Sequence, residues 1–251
     1  MEKKEYGNTL IEIFQARPNR LELARQGLRL GGIENIEYAK VLEVGCGFGE
    51  AALELSNEFG CRFVGVDLNE KHVETARGRM AGRTAGSGEV IYMTGDATNL
   101  DLPDGEFDFI LSEAAFSLLD DKEKAASEYS RVLKPGGKLV LNDFAIRGEV
   151  DKKLQKKMPV PCFRGMGNDD LYEEIFKASG LRRIHSRDCS KELLRMAIHL
   201  RKSSKAKNYS MDAILKKTPA EMGCGETAEE GDLKMFFKTA RMGYTQLIFE
   251  K

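Results

Sequence analysis

Several things are missing from this chain of 251 residues. No apolar run reaches the roughly eighteen residues that would suggest a membrane-crossing helix. The first ten residues, MEKKEYGNTL, are charged where a secretory signal would be apolar, so a cytoplasmic location with no membrane partner is expected. Cysteine is sparse: five residues, an odd number at irregular spacings with no CxxC pair, which argues against a disulfide framework and against a zinc ribbon. The three histidines, His72, His185 and His199, are scattered without ligand partners at useful spacing; each reads as a structural histidine, and no metal site is expected. Excess charge is absent too. With 39 basic against 40 acidic residues there is no global field to attract nucleic acid or a membrane surface, and such a partner would need a local patch. No internal repeat or low-complexity tract is visible.

What is present is an alternation. From Lys40 onward short β-rich runs are separated by longer segments of helical period, the pattern of a parallel sheet covered by helices on both faces. The strands read as KVLEVG, CRFVGVDL, EVIYMTGD, EFDFILSEA, KLVLNDF, LRRIHSR and YTQLIFE. Between them GEAALELSNEFG, EKHVETARGRM, KEKAASEYSRVL and NDDLYEEIFKASG read as helices, with Gly60 and Gly180 as stops and KPGG as a tight turn. The expected fold is α/β: a Rossmann-like, doubly wound, seven-stranded, mostly parallel sheet with an N-terminal helical segment and a helical insert before the last strand.

A single domain is expected, divided into an N-terminal helical lid over 1–39 and a core over 40–144. A cap connection, helix and sixth strand follow over 145–188, a helical insert over 189–243 and the last strand over 244–251. The insert carries helical periodicity in SKELLRMAIHLRKSS and EEGDLKMFFKTARMG, and a structureless loop of that length would be unusual inside a compact domain.

The stretch VLEVGCGFGE, residues 41–50, runs a strand into three glycines spaced two apart. Such a turn can take a dinucleotide, a nucleotide phosphate or an adenosyl group. A phosphate-binding loop would end in Gly-Lys-Ser/Thr, which is absent, and Gly45, Gly47 and Gly49 give G-x-G-x-G rather than the dinucleotide pattern G-x-G-x-x-G. Glu43 precedes the first glycine by two residues. A carboxylate there suits a ligand with a positive amino group and repels a pyrophosphate. Asp67 ends the second strand, where a carboxylate can take both ribose hydroxyls, and Asp96 ends the third, where it can meet an adenine amino group.

Glu43-x-Gly45-x-Gly47-x-Gly49, Asp67, Asp96 and RVLKPGGKLVL together resemble a class I S-adenosylmethionine-dependent methyltransferase over about residues 40–144. The chain is most similar to the branch that includes ubiquinone/menaquinone C-methyltransferases and arsenite methyltransferases. The resemblance implies S-adenosyl-L-methionine as cofactor and S-adenosyl-L-homocysteine as product. It places the methionine part at Glu43, Gly45, Cys46, Gly47 and Gly49, the ribose and adenine edge at Asp67 and Leu68, and the adenine at Asp96 and Ala97. Ser112 at the fourth-strand exit also falls in the cofactor site. ARPNRLEL is similar to an N-terminal segment that covers the cofactor in related proteins, which implicates Arg17 and Asn19.

The acceptor is expected to be a small molecule. In this fold the fourth-strand exit lies over the methyl group, and Ser112-Glu113-Ala114-Ala115 departs from the Asp/Asn-Pro-Pro-Tyr/Phe pattern of nucleobase amino methylases. Glu113 is a candidate to orient substrate or accept a proton. Cys162 occupies a region where arsenite methyltransferases carry a metalloid-binding cysteine, and Cys224 lies in the expected cap; two thiols converging on one pocket would suit a thiol or another soft nucleophile. That family also uses an N-terminal cysteine, and none precedes Cys46 here. Met158, Met166, Met196 and Met222 are read as core filling or as an adaptable pocket lining. The basic-rich stretch 177–217 offers the alternative of an RNA or protein methyltransferase, and a cofactor-binding regulatory subunit without catalysis is a third reading.

Overall fold

Strands that will be buried on both faces have no reason to alternate apolar and polar residues, and these do not. In the computed structural model, which describes residues 19–81, 89–158, 160–206 and 230–251, Val41, Leu42 and Val44 of β1 (Lys40–Val44) are all buried. So are Phe109, Ile110 and Leu111 of β4 (Phe107–Glu113) and Leu139, Val140 and Leu141 of β5 (Leu133–Ile146). With β2 (Arg62–Asp67), β3 (Glu89–Thr94), β6 (Arg182–Asp188) and β7 (Met242–Glu250) they form one sheet in the order β3-β2-β1-β4-β5-β7-β6. The pairs β3–β2, β2–β1, β1–β4 and β4–β5 are parallel. The seven-stranded doubly wound sheet is as the sequence predicts.

The described residues fall into two compact units. The larger comprises 21–143, 169–187 and 246–251. In it, adjacent strand residues serve opposite faces of the sheet. Leu42, Ile110, Leu139, Leu141, Leu247 and Phe249 pack with α4 (Lys122–Val132) and α7 (Asp169–Ala178). Val41, Phe63, Phe109, Val140 and Ile248 pack with α1 (Glu22–Leu30), α2 (Glu50–Phe59) and α3 (Glu70–Ala81). The first layer is aromatic: Phe116, Tyr129, Tyr172, Phe176 and Phe249 meet ring to ring, with Phe116 and Phe176 centroids 4.7 Å apart.

Helix ends follow their local chemistry. Asp121 caps α4 by accepting the Lys124 N–H at 3.0 Å, and Gly60 closes α2 at φ 62°. At KPGG the turn is folded into the strand. Leu133 pairs with Phe107 and Lys138 with Phe109, so the residues between them, with Gly136 at φ 77°, bulge out of the ladder.

The smaller unit includes the described residues of 144–168 and 188–245, with its own core of Met158, Met166, Phe236 and Ala240. Its helices are α5 (Lys152–Lys156), α6 (Pro161–Gly165), α8 (Ser190–Ala206) and α9 (Glu230–Ala240). The Gln155 side-chain amide donates to the Phe163 and Met166 carbonyls at 3.1 and 2.7 Å, tying α5 to α6. Met158, Met166 and Met196 are 1–3% exposed, so they fill the interior; Met222 lies outside the described residues.

Candidate functional site

Strand order reverses between β1 and β4. The chain builds outward from β1 through β2 to β3 and then returns to place β4 on the other side of β1. At such a switch point the loops leaving the two strands diverge and open a crevice at their carboxyl ends. The loop after β1 is the glycine stretch, and the exit of β4 is Glu113-Ala114-Ala115. They touch: a Cβ on Gly45 would stand 2.4 Å from that of Ala115. Gly45, Gly47 and Gly49 all have positive φ, at 75°, 54° and 76°. Beneath the loop Tyr92 donates its hydroxyl to the Gly49 carbonyl, and a Cβ on Gly49 would fall 2.5 Å from its ring.

The loop's amides bear on its ligand. Gly45 and Cys46 both donate to the Val66 carbonyl, at 2.8 and 3.0 Å; Gly47 donates to Asp67 Oδ2 at 2.9 Å and Gly49 to the Cys46 carbonyl at 3.0 Å. A phosphate cradle aims such N–H groups at its anion. These four are committed within the protein, which matches a ligand held by shape and carboxylates rather than a pyrophosphate. Glu43 supplies one carboxylate at the foot of the loop, buried at 4% exposure, with Oε2 accepting the Ala52 N–H from the first turn of α2. Burial, together with the charges of Glu43 and Asp67, pushes the Cys46 thiol far above its ordinary range, which disfavours the thiolate.

Asp67 is fixed from three directions. Its Oδ2 takes the Gly47 N–H; its Oδ1 takes the Asn69 N–H at 2.9 Å and faces His72 Nδ1 at 3.3 Å. Burial pushes this carboxyl up, but the bonds from His72, Asn69 and Gly47 outweigh it and hold the group below the usual carboxylate range. Leu68 follows with 73% of its surface exposed. At the end of β3 the Thr98 N–H and hydroxyl both donate to Asp96 Oδ1, at 2.8 and 2.9 Å, and lower its pKa; neighbouring Ala97 is buried.

Glu113 ends β4, half-buried, and is held through two side-chain amides. Asn142 Nδ2 donates to Glu113 Oε2 at 2.8 Å, while Gln246 Nε2 donates to Asn142 Oδ1 at 2.9 Å and to the Leu23 carbonyl at 2.8 Å. A carboxylate only accepts, so both amide orientations are dictated. Asn142 and Gln246 are fully buried. Immediately after Glu113, Ala114 adopts φ 52°, a left-handed conformation that costs a β-carbon residue about 1 kcal/mol or more, and its N–H donates to the Asn142 carbonyl at 2.7 Å.

The structure therefore brings Glu43, the glycine loop, Asp67, Leu68, Asp96, Ala97 and Glu113 to the carboxyl ends of four neighbouring strands. The Ser112 hydroxyl is fully buried, near that of Tyr129 in α4. Cys162 is half-buried in α6 of the smaller unit. Arg17 and Cys224 lie outside the described residues, and Asn19 is exposed at φ 58°. No cluster of three or more His, Cys, Asp or Glu side chains suited to a metal occurs among the described residues. Sequence reasoning missed His72, Asn142 and Gln246. A signal existed for His72: Asn69 is the residue before α3, so His72 stands three residues into the helix, where a side chain reaches back toward the cap.

Residues 42–141 match the family model described as a methyltransferase domain. The methyltransferase GfsG of Streptomyces halstedii is 30% identical over 158 residues, 61% of this chain and 56% of that protein. The first curated relatives are matched over less than two thirds of their own length. Among solved structures, phosphoethanolamine N-methyltransferase 2 of Haemonchus contortus, in complex with phosphomonomethylethanolamine and S-adenosylhomocysteine, has a TM-score of 0.75. It is 19% identical, and the alignment covers 99% of this chain and 58% of that one. The arsenic(III) S-adenosylmethionine methyltransferase CrArsM of Chlamydomonas reinhardtii has a TM-score of 0.59 at 17% identity, covering 86% of this chain and 64% of that one. At these identities the two structures establish a common fold.

Proposed function

We propose, from the match of residues 42–141 to a methyltransferase domain, that this chain is a class I S-adenosylmethionine-dependent methyltransferase that transfers a methyl group to a small protic acceptor, an amine or a hydroxyl compound. S-adenosylmethionine supplies an electrophilic methyl on its sulfonium and leaves as S-adenosylhomocysteine. The residues fit that cofactor. Glu43 and the close-packed glycine loop suit the methionine portion, Asp67 and exposed Leu68 the ribose and one adenine face, and Asp96 with Ala97 the adenine edge.

The observation that carries the acceptor class is the Glu113–Asn142–Gln246 chain. A carboxylate whose oxygen is fixed by a buried amide keeps one orientation at the strand end, which is what orienting an acceptor and receiving its proton require. A thiolate acceptor would need no such group. The soft-nucleophile reading depends on Cys162 acting together with Cys224, so Glu113 supports the protic acceptor more directly.

The test is an acceptor screen that reads S-adenosylhomocysteine release from amines, hydroxylated compounds and thiols, run on wild type and Glu113→Gln. Turnover confined to protic acceptors, falling about 100-fold in the variant with S-adenosylhomocysteine affinity retained, supports the proposal. Turnover undiminished in Glu113→Gln removes its basis. Tight cofactor binding with no turnover across the panel would favour a non-catalytic subunit.

A further inference from the structure

His72 is bonded on both ring nitrogens, and its partners leave no choice of tautomer. Nδ1 faces Asp67 Oδ1 at 3.3 Å, and Nε2 faces the Asn69 side-chain nitrogen Nδ2 at 3.3 Å. The ionised carboxylate can only accept, so Nδ1 carries the hydrogen; the amide nitrogen can only donate, so Nε2 must be bare. Asn69 cannot simply turn over to suit a second ring hydrogen. Its Oδ1 accepts the Lys71 N–H at 3.0 Å as the cap of α3, and rotating the amide would give that bond up.

The ring is gripped on its face as well. Phe48, in the middle of the glycine loop, meets it nearly perpendicular at 4.9 Å between centroids, and the Arg79 guanidinium lies over the Phe48 ring while pairing with Glu50. Asp67 at the end of β2 is the charged group in contact with the ring; Glu43 and Cys46 lie on the loop side, and Lys71 and Glu70 belong to its own helix. The imidazole thus joins the helix cap, the glycine loop and the carboxylate at the ribose position.

We propose that His72 is a positioning residue of the cofactor site: with its hydrogen on Nδ1 directed at Asp67 Oδ1, it sets the Asp67 carboxylate for the ribose hydroxyls. The proposal rests on the reading of Asp67 as the ribose ligand.

The experiment is calorimetric titration of the full chain with S-adenosylmethionine and S-adenosylhomocysteine, using wild type, His72→Leu and His72→Asn. His72→Leu removes the donor, and affinity should drop about tenfold, the usual effect of losing one hydrogen bond to a charged group. His72→Asn restores an N–H near the Nδ1 position. It should recover most of the affinity, a rescue that loss of packing alone would not produce. Nitrogen NMR of the wild-type ring, expected to show hydrogen on Nδ1 in the cofactor-bound protein, reads the same proposal without a variant. Wild-type affinity in His72→Leu, or hydrogen on Nε2 in the bound state, overturns it while leaving the cofactor reading intact. Absence of binding by wild type overturns both.

Discussion

Gly49 and Asp67 show how much one position can carry. A methyl on Gly49 would meet the Tyr92 ring at 2.5 Å and the Ala76 Cβ at 2.7 Å, on a backbone at φ 76°. Gly49→Ala should cost about 2–4 kcal/mol from crowding and strain combined, read as a lowered urea midpoint with unchanged slope. Asp67 makes a pH-dependent contribution of definite sign. Its folded pKa lies below the ordinary 3.8, so the stability it adds is present above that value and is lost as pH falls through the depressed folded value. Urea unfolding of wild type and Asp67→Asn should therefore differ at neutral pH and converge in acid; a gap that widens below about pH 4 would contradict the assignment. Both residues were legible in the sequence because local spacing ties them to a strand end. Asn142 and Gln246 were not: their bond joins positions 104 apart, and only the neighbouring of β5 and β7 brings them together. His72 was passed over although its place three residues into α3 marks a side chain that can reach back toward the cap.

At the scale of elements, the strands were readable because buried parallel strands need near-continuous apolar runs and little else looks like VLEV or FILS. The helix ends were readable from their caps. Asp121→Ala should destabilise by about 1 kcal/mol, the usual cost of an N-cap, and a thermal scan showing no shift would mean that the Lys124 N–H finds another partner. Phe176, fully buried among Phe116, Tyr129 and Phe249, marks the seam of α7 with the sheet; Phe176→Ala should cost about 3–5 kcal/mol by denaturant unfolding. KPGG was expected as a tight turn ahead of the fifth strand; the turn lies inside β5 as a bulge, because Leu133 before it and Lys138 after it both pair with β4, and the sequence has no sign for pairing with a distant strand. The two helices expected in the insert form over Ser190–Ala206 and Glu230–Ala240, where the 3.6-residue period is strong enough to be read alone.

Across the whole molecule, 39 basic residues balance 40 acidic ones, and the candidate site is built from carboxylates: Glu43, Asp67, Asp96 and Glu113. That charge pattern favours a ligand carrying positive charge over a polyanion. A titration with single-stranded RNA between about 50 and 200 mM salt should give no binding tighter than the nonspecific micromolar range, and steeply salt-sensitive tight binding would revive an RNA substrate. The two compact units divide the labour unevenly, since every carboxylate of the candidate site belongs to the larger one. The central claim is that the crevice at the switch between β1 and β4 holds S-adenosylmethionine by way of Asp67. Calorimetric titration of S-adenosylhomocysteine into wild type and Asp67→Ala tests it most directly: one molecule should bind per chain, with affinity at least about tenfold weaker in the variant. Equal affinities in the two proteins, or no binding by wild type, would contradict it.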